Sequence, residues 1–252
     1  MVAEHDDRPG EASSGRDEVP DVWSPPTASS RYESVVAGRA RILLVALVVY
    51  ALAAVASGAS SLHSYVMVRR ELDDGGVEPS QREFTVAVEL WTAIGFGVVA
   101  IGTTILFARW ILSASRDAHR TAQFPMKYTP GWAVGWYFVP FANLVVPCQV
   151  MAELFRVAAP KHGPERLSGS ARPLIAAWWT MWLLSSVLSR VSMRFDPESI
   201  EELSDSARID MASSAVEIVL AVVAMALVRN LTDRLVAVRR ERDEARGRPA
   251  VA

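Results

Sequence analysis

The stretch Pro130-Gly131-Trp132-Ala133-Val134-Gly135-Trp136-Tyr137-Phe138-Val139-Pro140-Phe141-Ala142-Asn143-Leu144-Val145-Val146-Pro147 decides how many times this chain crosses a bilayer. It opens an apolar segment, 130–159, that is long enough to span yet badly built for it. Pro140 and Pro147 each remove a backbone donor and collide with the preceding turn. Gly131, Gly135 and Asn143 weaken a continuous helix further. From Pro147 to Pro160 the chain is amphipathic: Val150, Leu154 and Val157 share one face, and Gln149, Glu153 and Arg156 another. A helix of that length reaches only ~20 Å, short of the ~30 Å hydrocarbon core. The expectation is a re-entrant or interfacial segment that turns near Pro140–Asn143 and leaves on the side it entered. A kinked helix that crosses, giving five spans, is the alternative.

Four further apolar segments surround it. Residues 42–68 carry no charge except that of a protonated His63; residues 84–108 contain only Glu89; 174–189 are uncharged; 211–228 contain only Glu217. Uncharged runs near or above ~17 residues are foreign to soluble domains and suited to spanning helices. With 51% hydrophobic residues in 252, the reading is an all-α integral membrane protein with four spanning helices plus the broken third segment. Its membrane domain covers 39–235. Residues 1–38, interrupted by Pro9, Pro20, Pro25 and Pro26, read as a disordered polar tail in which Trp23 belongs to a solvated linker. Residues 236–252 form an arginine-rich tail. Arg39, Arg41 and the small-residue run Ala54-Val55-Ala56 mimic a signal peptide, but the long tail ahead of them favours an uncleaved span.

Basic residues orient the spans, because Lys and Arg in short loops favour the cytoplasm. They number five in 1–41, three in 69–83, four in 109–129, four in 156–172, three in 190–210 and seven in 229–252. Five spans with the N-terminus inside would leave 12 inside and 14 outside. Four spans place 20 inside and 6 outside. Charge and the proline pattern therefore agree on four spans and two cytoplasmic termini in a bacterial plasma membrane. The bacterial source is suggested by 24 arginines against two lysines, a GC-rich bias.

The block from Pro130 to Pro147, with Trp178-Trp179, Trp182 and the arginine-rich end after Val228, resembles the domain of unknown function 4328 family over roughly residues 80–235. That family comprises multi-pass membrane proteins, mainly actinobacterial. The resemblance implies a bacterial membrane protein and no particular activity. Family members often carry an aromatic and then a basic residue after the final proline; here these are Cys148 and Gln149.

Familiar catalytic motifs are missing, and the four histidines show no metal-ligand spacing. A single cysteine excludes an intramolecular disulfide, and a net charge of −2 gives no reason to expect nucleic acid. No cofactor or metal is expected. Ionisable groups inside spans are the functional candidates. His63, Glu89, Arg190 and Glu217 all fall toward the outer ends of their helices and form one candidate polar site. The plainer alternative keeps both glutamates near headgroups or paired with arginine. Gly131, Trp132, Gly135, Trp136, Pro140, Asn143 and Pro147 form a candidate re-entrant motif, in which Gly131-x-x-x-Gly135 permits close helix contact. Trp110, Trp132, Trp136, Trp178 and Trp179 gather near the inner interface as an aromatic belt, or alternatively as a pocket beside Asn143. Leu231, Leu235 and Val238 form one face of a C-terminal helix whose arginines suit anionic lipid headgroups; pairing of Arg239 with Asp243 is the plainer reading there. The favoured function is a non-enzymatic accessory, scaffold or partner-binding module. A small-solute or ion carrier using the broken third segment is the alternative, and an intramembrane enzyme comes third.

Overall fold

The apolar segments do become helices. The computed structural model describes residues 28–74, 78–159, 171–192, 194 and 200–247. They form α1 (Ala28–Asp74), α2 (Pro79–Thr121), α3 (Trp132–Gly135), α4 (Val146–Val157), α5 (Ala171–Ser192) and α6 (Ile200–Gly247). No strand occurs among the described residues. α1, α2, α5 and α6 are each long and apolar enough to cross a membrane. The 47 residues of α1 and 48 of α6 correspond to ~70 Å each, so both project well beyond a ~30 Å core. α1 starts at Ala28, ahead of the boundary expected at 39, and Val36 and Ala40 are already buried. Residues 1–27, with Trp23, lie outside the described part. α6 continues past Arg229 to Gly247, as its periodicity implied.

α6 packs along α1, α2 packs against α1, and α5 packs on α6. The spatial order is therefore α2–α1–α6–α5. One end of this bundle, the hairpin end, is where α1 passes to α2 and α5 to α6. The other, the tail end, carries the start of α1, the finish of α6, and α3 with α4. Long apolar faces such as Val45, Leu52, Val98 and Ile101 point out of the bundle and meet no protein, as lipid-facing surfaces do.

The densest core lies at the tail end. Leu43 of α1, Trp110 and Ile111 of α2, Leu154 and Phe155 of α4, Trp178 of α5, and Leu227, Leu231 and Leu235 of α6 meet there. The Trp110 indole N–H donates to Thr232 Oγ1 at 3.1 Å. This tryptophan is fully buried, so it belongs to the core and not to an interfacial belt.

The third apolar segment contributes no fifth span. α3 has four residues; two 3-10 turns, Trp136–Phe138 and Ala142–Leu144, follow it; α4 has twelve. The break falls at Pro140–Asn143, as expected. Phe141 has φ 62 and ψ −41, and the Ala142 N–H donates to the Pro140 carbonyl at 2.7 Å. This is a γ-turn of the strained, positive-φ kind. Pro147 sits in the first turn of α4, where its missing N–H costs nothing. Val150, Leu154 and Val157 are buried as their spacing implied. Glu153, placed on the polar face by the sequence, is buried too: its carboxylate accepts from the backbone N–H groups of Lys127 (2.6 Å) and Tyr128 (3.4 Å). A carboxylate can leave water when backbone donors replace its hydration.

Candidate functional site

α4 packs against α2, α5 and α6 at the tail end. There α2 and α5 approach each other through Phe107 and Trp178, whose ring centroids are 5.9 Å apart. The broken segment reaches as far along α5 as Trp182, which meets Tyr137 edge-on at 6.3 Å. Because α3 and α4 are short, they fill only one half of the bundle. Toward the hairpin end a cavity of about 740 Å³ remains, lined by α1, α2, α6 and the end of α5.

Its wall is rich in hydroxyls, with nine serines and two threonines, and contains four carboxylates, Glu71, Glu89, Asp210 and Glu217, against one guanidinium, Arg82. The periodicity that builds it is plain once the helices are paired. Ser57, Ser60, Ser61 and Ser64 recur at helical spacing on α1, and Ser206, Asp210, Ser213, Ser214 and Glu217 do so on α6. α1 and α6 approach closely beside Gly58, where an added Cβ would stand 3.1 Å from Ser214 Cβ. At the floor, Glu217 is buried and accepts hydrogen bonds from the hydroxyls of Tyr50 and Ser185. The Tyr50 ring stacks at a tilt on Phe96, with centroids 5.3 Å apart. At the mouth Arg82 pairs with Glu71. Asp210 accepts from Ser192 Oγ at 2.6 Å.

The cavity thus brings together Glu89 and Glu217 of the expected outer site, but not the other two. His63 is half-buried beside the wall, with Nε2 3.4 Å from Thr85 Oγ1. Arg190 is exposed and does not line the cavity. The reason is helical rotation: Ser185, Ser189 and Ser192 of α5 face inward, and Arg190 lies about 140° around the helix from Ser185. Hydroxyls, and not arginine, satisfy Glu217. Residues that the sequence reading missed, above all Ser60, Ser64 and Asp210, were visible only as polar positions repeating every three or four residues.

The re-entrant motif is brought together locally and stands apart from the cavity. Trp132 and Trp136 contact each other at 4.9 Å between centroids. Gly131 has open space where a Cβ would go, and Gly135 faces the Trp132 ring, so these glycines serve no contact between helices. Asn143 is half-buried and donates its backbone N–H to the Val139 carbonyl at 3.0 Å. Its side-chain amide has no hydrogen-bond partner among the described residues, so it does not satisfy the broken backbone. Trp178, Trp179 and Trp182 form a ladder on α5, the last two stacked at 4.7 Å. In the C-terminal helix Leu231, Leu235 and Val238 are buried as expected. Arg239 reaches Asp117 of α2.

Four membrane-length helices around a broken segment and a polar cavity define a helical integral membrane protein. The pattern described as domain of unknown function 4328 matches residues 73–233, and the chain belongs to that family. The matched residues include α2 to most of α6; nearly all of α1, with its serine row, precedes them. No curated protein and no solved structure matches the chain.

Proposed function

We propose that this protein is a non-enzymatic binding module of the bacterial plasma membrane that takes a small polar solute into the hairpin-end cavity. The observation that carries the reading is that cavity: about 740 Å³, walled by hydroxyls and carboxylates inside an otherwise apolar bundle. Its volume lies within the range of small-molecule sites, and ionisable groups held within spans are functional by default. The distribution of basic residues supports cytoplasmic termini, with 20 of 26 on the tail side. The cavity then opens outward. Exposed arginines of α6, such as Arg229 and Arg240, then lie beside the anionic inner leaflet.

A carrier working through the broken segment is less well supported, because no residue of 130–159 lines the cavity and Tyr50, Phe96 and Glu217 close its floor. A scaffold role has one observation in its favour. α2 and α6 continue beyond their apolar runs and are tied together by Asp117 and Arg239, giving a rigid head at the tail end.

Two measurements test the proposal. A reporter fused after Ala252 is expected to read cytoplasmic, and one inserted at Gly76 external. Purified full-length protein in detergent, heated with small solutes of positive, neutral and negative charge, is expected to gain melting temperature saturably with at least one class. Ser206→Trp, which fills the cavity, is expected to remove that gain. An external C-terminus overturns the orientation, and no response to any class at millimolar concentration overturns solute binding.

A further inference from the structure

We infer that the cavity binds a linear aliphatic diammonium or polyammonium ion. The inference rests on reading the cavity as a solute site and names the chemistry of the solute. Arg82 is matched by Glu71, which leaves Glu89, Asp210 and Glu217 with no cationic partner among the described residues. Hydroxyl donors satisfy part of Glu217 and Asp210, whereas Glu89 is half-buried with no hydrogen-bond partner among the described residues. A carboxylate withdrawn from bulk water is costly without a positive partner.

The unmatched hydroxyls point to the same solute. Ser60 and Ser64 line the cavity and are only 8% and 7% exposed, and their Oγ atoms, closed off from water, have no hydrogen-bond partner among the described residues. A hydroxyl oxygen can accept, and an ammonium group offers three donors and no acceptor. Carboxylates and serine hydroxyls together are therefore the complement of ammonium groups.

Spacing separates a chain of ammonium groups from a single ion. Among the described residues no three His, Cys, Asp or Glu side chains gather closely enough to hold a metal ion. The negative charge is strung along the bundle instead. Asp210 and Glu217 are seven residues apart on one face of α6, which is ~10 Å. Glu89 faces them from α2 at an intermediate height, since its neighbour Thr85 lies beside His63 and Phe96 lies beside Tyr50. A row of separated carboxylates suits positive charges separated by methylenes. The apolar part of the wall, including Val86, Leu90, Phe96 and Leu203, suits the methylenes themselves.

Calorimetric titration of the full-length protein in detergent, at constant ionic strength, tests this with 1,4-diaminobutane, a linear triamine, butylamine, potassium chloride and a neutral sugar alcohol. Saturable binding is expected for the diamine and triamine, at least about tenfold tighter than for butylamine, as an added charged hydrogen bond provides. Glu89→Gln and Asp210→Asn are each expected to weaken diamine binding about tenfold. Ser60→Ala with Ser64→Ala should weaken it several-fold. Each variant is compared only where its melting temperature stays near that of the parent; Glu89→Gln breaks no bond among the described residues and keeps the test open. Butylamine or potassium binding as well as the diamine, or variants with parental affinity, overturns the inference. Binding of the sugar alcohol alone overturns it while leaving the solute site standing. Binding of nothing overturns it too, and the solute site itself falls only if anionic solutes also leave the melting temperature unchanged.

Discussion

Asp117 on α2 and Arg239 on α6 form an ion pair whose side chains are 7% and 12% exposed, beyond the ends of the apolar runs. It ties α2 to α6 where both continue past their apolar runs at the tail end. A buried pair is a weak source of net stability, but removing one partner strands the other's charge in a poorly solvated place. Arg239→Ala, which takes away the guanidinium that the Asp117 carboxylate binds, is expected to cost about 3–5 kcal/mol. The double variant Asp117→Leu with Arg239→Met should recover most of that loss. Thermal unfolding in detergent checks both. A double variant no better than the single ones would show that the charges contribute more than their mutual compensation.

A second close approach shapes the cavity. At Gly58 the α1 backbone comes so near α6 that a Cβ would stand 3.1 Å from Ser214 Cβ, which is fixed to the backbone and cannot swing away. Gly58→Val should force the helices apart and destabilise the protein by about 1–3 kcal/mol, the usual cost of overpacking. Gly95→Ala and Gly102→Ala, where a Cβ meets nothing within 4 Å, are the matched controls and should not destabilise. Equal melting temperatures for all three variants would contradict the close approach.

Much of this fold was legible because hydropathy and proline are strong signals. The four spans, the break at Pro140–Asn143 and the buried Leu231–Leu235–Val238 face follow from run length, backbone chemistry and helical period. The candidate site was half legible. Glu89 and Glu217 stand out as lone charges in apolar runs, but which face of each helix turns inward depends on packing between helices, and Arg190 faces outward on that account. Long-range partners stay hidden from local patterns. Arg239 reaches Asp117, 122 positions away in sequence. Glu153 falls on the polar face of α4, yet it anchors the preceding loop through two backbone N–H groups. Neither long-range partner leaves a trace in spacing. Serine has nearly neutral hydropathy, so the rows that wall the cavity do not interrupt an apolar run.

The γ-turn at Phe141 offers the last test. A phenylalanine at φ 62 is held where L-residues are strained, while the residue is 84% exposed and Phe138 is 81% exposed. Two bare aromatic rings on a strained turn make sense if the bilayer covers them, because burial of a large side chain offsets backbone strain of ~1–2 kcal/mol. Phe141→Gly removes the strain and the ring together; Phe141→Ala removes the ring and keeps the strain. In detergent micelles or bilayers, where the rings are covered by apolar chains, Phe141→Ala should destabilise more than Phe141→Gly, by about the strain itself. Melting temperatures of the two variants decide this. If Phe141→Gly exceeds the parent, the ring contributes less than the turn costs, and the broken segment is not held in the bilayer through this residue. If both variants fall below it, with alanine the lower, the ring is an anchor and the turn is strained to present it.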